Sequence, residues 1–425
     1  MHLYERIFED LGREVDEGDI GPGERLPSIR EVAERYGCNK LTAQRAFDRL
    51  VRSGRVENRV GSGTFARAAP APDSGKGDFS TARLSESFFP YEEAGNILAQ
   101  FLATERGRVF SAPEARGEGR LLEALARRFE LPVDSLLVTG GGQQGLDLVR
   151  RLFAGRSGAF AVVEEPTYPG ALSAFKPRQA LPFGREGPEP AALSAAFAVA
   201  APGGRFFYTV PQLHNPTGLR HSPDTRRAIA RAAEILDFTI VEDDYLSELL
   251  VERSPRYIDL VPERTIWIKS LSKTLAPGIR IGALAAAPSR LPSLLRLRDE
   301  ADQGPSTWLQ LFAAGILESG LYDRHLERVR SVVDRRRAEL VAIVEAVPGL
   351  SIAGGAEGYN LWIEALSGHK AGESAWADGW RFGRSETTRR SFRLSMMGMG
   401  EEDWPEAKES LRRRLESVFP GRGEA

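Results

Sequence analysis

Residues 270–280 read Ser-Leu-Ser-Lys-Thr-Leu-Ala-Pro-Gly-Ile-Arg, and they follow the apolar run Thr-Ile-Trp-Ile at 265–268. Such a run is typical of a buried β-strand, so we expect Lys273 on a loop at the end of a strand. A lysine in that place can form a Schiff base with an aldehyde, and Arg280 can bind a phosphate group. For these two residues alone, an ordinary pair of surface cations is the simpler interpretation.

Polar clusters follow two more β-rich runs. His-Asn-Pro-Thr-Gly at 214–218 comes after the run at 206–210, and Glu-Asp-Asp-Tyr at 242–245 comes after the run at 238–241. A further β-rich run lies at 159–163, and helical patterns alternate with these runs. This alternation predicts a mostly parallel α/β sheet covered on both faces. Because such sheets bind ligands at the carboxyl ends of their strands, the clusters predict one shared site.

The residue types in these clusters favour pyridoxal 5'-phosphate as the ligand. A carboxylate such as Asp243 can keep the pyridine nitrogen protonated, and Asn215 and Tyr245 can hydrogen-bond the ring oxygen. The glycine-rich stretch 138–145 leads into a helix expected at 146–152, whose N-terminal N–H groups suit a phosphate. Tyr168 can stack on the ring, although a lone tyrosine is more often half-buried packing.

The N-terminal region predicts three helices followed by a hairpin. Apolar residues within 4–15 lie on one helical face, Ser28 and Glu31 have the spacing of a capping box, and Asn39 can cap a third helix. Two short strands around a glycine turn are expected within 55–65. This order of elements is typical of a winged helix-turn-helix domain.

A local excess of positive charge accompanies these elements. Residues 25–67 carry ten Lys and Arg against four Asp and Glu, and Thr42, Arg45, Arg49 and Arg52 recur on one face of the third helix. A basic helix face is often merely solvated. Beside a basic hairpin, however, it predicts a recognition helix in the major groove of double-stranded DNA.

The N-terminal motifs resemble those of the GntR superfamily of regulators over residues 3–66. They are Leu-Pro-Ser-x-Arg-Glu at 26–31, the threonine early in the third helix, and Gly-Ser-Gly-Thr-Phe at 61–65. The resemblance places Arg30, Thr42, Gly61 and Gly63 on DNA-contact positions, and Lys40 stands where the family commonly has arginine. Together with Arg45 and Arg49 from the basic face, these are the expected DNA-binding residues. Gln44 replaces a frequent arginine, so no base preference can be carried over.

Residues 88–420 resemble fold type I aminotransferases, and the fused architecture resembles the MocR subgroup of GntR regulators. The resemblance assigns Lys273 to the Schiff base, Asp243 to the pyridine nitrogen, and Asn215 and Tyr245 to the ring oxygen. It further implies stacking by Tyr168 and a carboxylate-binding role for Arg393 toward an amino-acid or amine effector. Phosphate binding is implied for four residues, namely Gly142, Gln143, Ser270 and Arg280.

Two residues depart from that family pattern. Gly142 stands where a phosphate-binding serine is common, and Phe110 stands where many relatives present a tyrosine from the partner subunit. Each change removes one neutral hydrogen bond, worth about 1 kcal/mol, so cofactor binding is expected to weaken without being lost. The resemblance also implies a homodimer.

Composition sets the remaining expectations. The 57 basic and 59 acidic residues nearly cancel, the lone Cys38 excludes an internal disulfide, and no metal site is expected. No uncharged apolar run reaches the roughly 18 residues of a membrane span, so a cytoplasmic protein without a membrane partner is expected. We expect a DNA-binding domain at 1–68, a Pro- and Gly-rich linker at 69–87, and a cofactor domain at 88–425.

Three functions are compatible with this sequence. In the first, a DNA-binding regulator senses pyridoxal phosphate, and an amino compound with it, through Lys273. In the second, the chain is an active aminotransferase with an appended DNA-binding domain. In the third, an empty aminotransferase-like domain serves only for dimerisation of a DNA-binding regulator. Sustained transamination would identify the second function, and failure to bind the cofactor would identify the third.

Overall fold

The computed structural model describes residues 3–16, 20–21, 23–53, 55–59, 62–66, 77–105, 107–154, 159–177, 179–198, 200, 204–366 and 375–419. The α-helices within these ranges are α1 (Leu3–Asp16), α2 (Ile29–Arg35), α3 (Lys40–Arg52), α4 (Tyr91–Thr104), α5 (Gly119–Phe129), α6 (Gly142–Ala154), α7 (Pro169–Phe175), α8 (Pro190–Ala198), α9 (Pro223–Ile235), α10 (Tyr257–Leu260), α11 (Leu291–Ala301), α12 (Thr307–Glu318), α13 (Leu321–Glu345), α14 (Glu386–Arg389) and α15 (Trp404–Val418). The strands are β1 (Val56–Arg59), β2 (Gly63–Ala66), β3 (Leu136–Thr139), β4 (Phe160–Glu165), β5 (Gln179–Gly184), β6 (Gly187–Pro188), β7 (Arg205–Thr209), β8 (Thr239–Asp244), β9 (Thr265–Ser270), β10 (Gly282–Ala286), β11 (Leu350–Ile352), β12 (Asn360–Ala365), β13 (Ala377–Asp378) and β14 (Ser391–Ser395).

The N-terminal elements form the expected winged helix-turn-helix. Helices α1 to α3 enclose a separate apolar cluster that includes Ile7, Leu11 and Phe47. Ser28 and Glu31 form the predicted capping box. The backbone N–H of each residue donates a hydrogen bond to the side chain of the other. Strands β1 and β2 pair antiparallel as the wing. The predicted winged helix-turn-helix fold of this region is confirmed.

The central sheet of the C-terminal domain has the strand order β3-β10-β9-β8-β7-β4-β5-β6. Strands β9, β8, β7, β4 and β5 are parallel to one another, whereas β10 runs antiparallel to β3 and β9, and β6 runs antiparallel to β5. Alternate residues of the central strands belong to two apolar clusters on opposite faces: Val163 and Val241 lie in one, Val162 and Ile240 in the other. The mostly parallel sheet covered on both faces is therefore confirmed.

A smaller antiparallel sheet, of order β11-β12-β14-β13, completes this domain. Helices α13 and α15 pack beside it, and buried Trp376, Phe392 and Phe419 stack on one another. Strand β14 carries Arg393. In the pairing of β14 with β13, Ala377 lies opposite Arg393. This sheet therefore determines where Arg393 lies.

The segment at 79–85 packs against the C-terminal domain, although the sequence placed it in the linker. Phe79 and Leu84 are fully buried. The N–H of Phe79 donates to the carbonyl of Ala375 over 2.8 Å, and the N–H of Ser85 donates to the carbonyl of Met397 over 2.7 Å. Because these bonds join it to the small sheet, we propose that the domain boundary lies before Phe79.

None of the helices in the described ranges has both the length and the apolar composition required to cross a membrane.

Candidate functional site

A pocket of about 430 Å³ lies where the carboxyl ends of β7, β8 and β9 face the small sheet. This volume is within the range of roughly 300–1,000 Å³ that is usual for small-molecule sites. Every residue expected to contact the cofactor or effector lines this pocket: Gly142, Gln143, Tyr168, Asn215, Asp243, Tyr245, Ser270, Lys273, Arg280 and Arg393. The structure therefore brings the separate sequence clusters to one place.

Lys273 lies in a 3-10 turn, Leu271–Lys273, directly after β9. Its Nζ atom donates a hydrogen bond to the carbonyl oxygen of Ala82 over 2.7 Å. Burial lowers the pKa of Lys273 to about 8, and the positive charges of Arg393 and Arg280 contribute. A lysine with this pKa has a substantial neutral fraction near neutral pH, which a nucleophilic amine requires.

Asp243 lies near the end of β8, where burial raises its pKa to about 6. The phenol of Tyr208, on the neighbouring strand β7, donates to Asp243 Oδ2 over 2.7 Å. This hydrogen bond favours the carboxylate form and fixes its orientation. Tyr208 was not singled out from the sequence, because nothing in the run at 206–210 distinguishes it from an ordinary core residue.

Arg393 connects the small sheet to the carboxyl end of β7. Its Nη1 atom donates to Asn215 Oδ1 over 2.9 Å, and its guanidinium lies 5.0 Å from the ring centroid of Phe382. Burial lowers the pKa of Arg393 to about 10, so the group remains cationic at neutral pH. On the same side of the pocket, Asn360 Nδ2 donates to the hydroxyl of Tyr245 over 3.2 Å.

The opposite end of the pocket has the features of a phosphate site. Helix α6 begins at Gly142, four residues before the expected start, so the N–H groups of Gly142 and Gln143 belong to its first turn. Arg280 Nη2 donates to the carbonyl of Gly140 over 3.0 Å. Gly141 has a φ of +98°, and a Cβ atom there would lie 3.4 Å from Arg280 Nη2.

Two further observations test whether this end fits an anion. The buried Oγ atom of Ser272, which also lines the pocket, has no hydrogen-bond partner among the described residues. A Cβ atom on Gly142 would lie 3.5 Å from Cβ of Ser270, so the glycine leaves room beside that serine. A helix N-terminus, a guanidinium and an unpaired hydroxyl together suit a phosphate. The pocket thus fits pyridoxal 5'-phosphate.

Tyr168 lines the pocket beside this cradle and directly precedes α7. Its hydroxyl donates to Gln143 Oε1 over 3.4 Å. Burial raises the pKa of Tyr168, and the negative charge of Asp243 contributes. The phenol is therefore neutral at neutral pH.

A buried acid and two histidines support the loop that carries Asn215. His221 Nε2 lies 2.7 Å from Glu164 Oε1, His214 Nε2 lies 3.3 Å from Glu164 Oε2, and Phe183 stacks on the His214 ring at 3.9 Å. The histidines hold the pKa of Glu164 at about 2, against its burial. No local sequence pattern identifies this cluster, because its members come from separate strands and loops.

A second buried network lies beneath Asp243 and Lys273. Lys269 Nζ is 3.1 Å from Asp244 Oδ1 and 3.2 Å from Glu248 Oε2, and all three side chains are inaccessible to solvent. Lys269 is on β9 and Asp244 on β8, so the ion pair joins the two strands that present Lys273 and Asp243. It therefore helps to position both groups.

The third helix of the winged domain presents several of the expected DNA-binding residues. Lys40 and Arg45 are exposed, and neither has an ion-pair partner within the described ranges. The N–H and hydroxyl of Thr42 both donate to Asn39 Oδ1, over 2.8 and 2.9 Å. Exposed Leu41 lies between Lys40 and Thr42 on this surface.

The other expected DNA-binding residues differ in their surroundings. Arg49 points to α1, with its guanidinium 4.5 Å from the ring centroid of Phe8 and 3.8 Å from Glu5 Oε1. Arg30 pairs with Glu34 on the exposed face of α2. Gly63 begins β2 with a φ of +115°, and Gly61 lies outside the described residues.

Comparison with known proteins agrees with both halves of the structure. Residues 3–66 match the family model for bacterial regulatory proteins of the gntR family, and residues 82–410 match that for aminotransferase class I and II. The chain therefore belongs to the aminotransferase class I and II family and carries a GntR-type DNA-binding domain.

Relatives with the same fusion place the chain more closely. It is 27% identical over 419 residues to the uncharacterized HTH-type transcriptional regulator YdfD of Bacillus subtilis, covering 85% of this chain and 84% of that protein. It is 25% identical over 391 residues to the probable rhizopine catabolism regulatory protein MocR of Rhizobium meliloti, covering 80% and 77%. The chain is thus similar, over most of its length, to HTH-type transcriptional regulators, MocR among them.

A solved structure supports the fold of the C-terminal domain. LysN, an alpha-aminoadipate aminotransferase from Thermus thermophilus solved with N-(5'-phosphopyridoxyl)-L-leucine, aligns with a TM-score of 0.73 and 26% identity. The alignment covers 81% of this chain and 93% of that one.

Proposed function

We propose that this regulator binds pyridoxal 5'-phosphate through Lys273 and responds to an amino acid or amine bound beside it. One observation carries the proposal. A lysine with a pKa of about 8, a buried carboxylate, a glycine cradle beside Arg280 and a buried guanidinium at Arg393 all line the same pocket. Such a combination is what recognition of this cofactor and an amino acid requires.

When bound, pyridoxal phosphate supplies an aldehyde that condenses with primary amines and a pyridine ring that withdraws electrons. With the cofactor bound, Lys273 would provide the amine, and Asp243, held by Tyr208, would face the ring nitrogen and keep it protonated. Asn215 and Tyr245 would bind the ring oxygen, and Tyr168 would cover the ring. Gly142, Gln143, Ser270 and Arg280 would hold the phosphate.

Arg393 is proposed to bind the carboxylate of the effector. Its guanidinium is cationic and buried, and Asn215 and Phe382 fix its position. It can therefore bind a carboxylate in a defined orientation. The ligand of LysN, which joins the phosphopyridoxyl group to leucine, is compatible with this assignment because it places an amino acid next to the cofactor in that protein. A regulator that sensed the cofactor alone would not need Arg393.

We also propose a homodimer. Phe110 is 84% exposed, so its apolar side chain is accessible to a partner subunit. The residue stands where relatives contribute to the partner subunit's phosphate site. In such a dimer, the winged domains of both subunits would bind the same double-stranded DNA.

The visible absorbance spectrum of the purified full chain, with and without added pyridoxal phosphate, tests the proposal. A cofactor band that appears on addition, together with a change in affinity for a DNA duplex selected by the same protein from a random library, supports it. No band would favour the empty dimerisation domain. Sustained conversion of an amino acid with a keto-acid acceptor would instead identify an active aminotransferase.

A further inference from the structure

Arg381 is a second guanidinium on the same wall of the pocket as Arg393. It ends the 3-10 turn Gly379–Arg381, which directly follows β13. Ala377 of β13 is the register partner of Arg393 on β14, so strand pairing brings this turn beside Arg393. Arg381 lines the pocket, and its positive charge lowers the pKa of Arg393. No motif in the sequence singles out Arg381.

The backbone that presents Arg381 is held on both sides. A Cβ atom on Gly379 would lie 1.6 Å from the carbonyl oxygen of Thr388, so this turn packs directly on neighbouring backbone. Past Arg381, the carbonyl of Phe382 accepts a hydrogen bond from the N–H of Thr167 over 2.8 Å. The N–H of Ser385 donates to Glu165 Oε1 over 2.7 Å. The direction in which Arg381 leaves the backbone is therefore fixed.

The side chain of Arg381, in contrast, is not engaged. It has neither a hydrogen bond nor an ion pair with any residue that the structure describes, and it is exposed. Arg393 differs, since Asn215 and the carbonyl of Ser80 accept its hydrogen bonds. Arg280 is bonded to Gly140 at the phosphate end. Arg381 is thus a positively charged side chain on the pocket wall, and no acidic partner for it is found among the described residues.

We infer that the effector is an amino acid whose side chain carries a second acidic group, and that Arg381 binds that group. This inference rests on the proposed function, because it assumes that Arg393 binds the α-carboxylate. Two neighbouring guanidinium groups repel one another, and a ligand with two acidic groups removes this repulsion while one with a single carboxylate leaves Arg381 unpaired. Charge-assisted bonds of this kind discriminate strongly between an acid and its amide.

The experiment uses the full chain loaded with pyridoxal phosphate. L-aspartate, L-glutamate and L-2-aminoadipate are titrated against the neutral L-asparagine, L-glutamine and L-norleucine, following the visible spectrum and binding to a selected DNA duplex. We expect at least one diacid to bind about tenfold or more tightly than its neutral counterpart, which corresponds to about 1.4 kcal/mol. In Arg381→Gln that ratio should fall to about one, with affinity for the neutral amino acid unchanged.

Arg83→Gln is the matched control. Arg83 is exposed and its charge also lowers the pKa of Lys273, but it does not line the pocket, so this variant should keep the preference for diacids. Arg381→Glu should disfavour diacids and favour L-lysine over L-norleucine. Equal binding of acids and amides by the wild type, or an unchanged ratio in Arg381→Gln, would overturn the inference while leaving the proposed function intact. If no amino acid alters the wild-type spectrum, amino-acid sensing fails, and this inference with it.

Discussion

The Nζ atom of Lys273 donates a hydrogen bond to the carbonyl oxygen of Ala82 over 2.7 Å, although 191 positions separate the two residues in the chain. Ala82 belongs to the segment that enters the C-terminal domain directly after the linker, and Ser80 of the same segment accepts a hydrogen bond from Arg393. The proposed cofactor lysine and the proposed carboxylate-binding arginine are therefore both bonded to the stretch of chain nearest the DNA-binding domain. A ligand that bonds to Lys273 or Arg393 competes with these hydrogen bonds. Its binding therefore affects how the segment next to the linker is held.

Lys273→Ala should abolish the visible absorbance band of bound pyridoxal phosphate while the protein remains folded. Among the residues that the structure describes, Lys273 is the one lysine that lines the pocket with Asp243 and Gly142. Reduction with borohydride followed by peptide mass mapping should locate the cofactor on Lys273 in the wild type. Lys176→Ala, which removes an exposed lysine of the same domain, is the control and should keep the band. A band of unchanged intensity in Lys273→Ala would disprove the assignment.

Cofactor incorporation should become faster as the pH rises through about 8 and level off above that value, because the pKa of Lys273 is lowered to about 8. The neutral amine is the reactive form, so an ordinary lysine would still gain reactivity near pH 10. Arg393→Ala removes a nearby positive charge and should move the midpoint to higher pH. The measurement is the initial rate at which the band appears between pH 6.5 and 9.5. A rate that is still rising steeply at pH 9.5 would contradict the lowered pKa.

Arg393→Ala should remove the spectral response to amino acids while cofactor binding stays nearly intact. The guanidinium lies on the small sheet, across the pocket from the phosphate cradle, so its loss affects the effector more than the cofactor. Arg393→Lys keeps the positive charge but cannot form two parallel hydrogen bonds to a carboxylate. This variant should therefore show only part of the wild-type response. An alanine variant that responds as well as the parent would rule out this role.

Arg45→Ala should weaken DNA binding and make the dependence of log K on log salt shallower by about 0.9, the contribution of one phosphate contact. Arg45 is exposed on the recognition helix, where it can reach the phosphate backbone of DNA. Arg49→Ala should in addition lower the thermal stability of the winged domain, because its guanidinium covers Phe8 and pairs with Glu5. Binding isotherms at several salt concentrations, together with melting curves, separate the two effects. An unchanged salt slope in Arg45→Ala would exclude it from the interface.

Trp380→Ala should reduce the effect of an amino acid on DNA affinity from roughly fivefold or more to near unity. Trp380 directly precedes Arg381, and a Cβ atom built on Gly21 of the winged domain would lie 2.8 Å from Cζ3 of the Trp380 ring. The two domains thus meet next to the proposed effector site. Spectral titration should show that the variant still binds the amino acid, and Trp380→Phe should retain part of the coupling. Full coupling in Trp380→Ala would show that the signal takes another route.

The sequence by itself indicated the two-part architecture and ten of the residues that line the pocket. Capping signals, apolar periodicity and polar clusters at strand ends are local features, and each can be recognised within a dozen residues. Lys273, Asp243 and Asn215 were found because each lies at or shortly after the end of a β-rich run, and strands of a parallel sheet bring their carboxyl ends to one edge.

The tertiary structure alone decided how distant segments meet at that pocket. Arg381 lies beside Arg393 because β13 and β14 pair with Ala377 opposite Arg393. The small antiparallel sheet and the packing of residues 79–85 against it likewise depend on pairings between segments far apart in the chain. Register and long-range packing depend on the combined burial of many side chains, so no short motif encodes them.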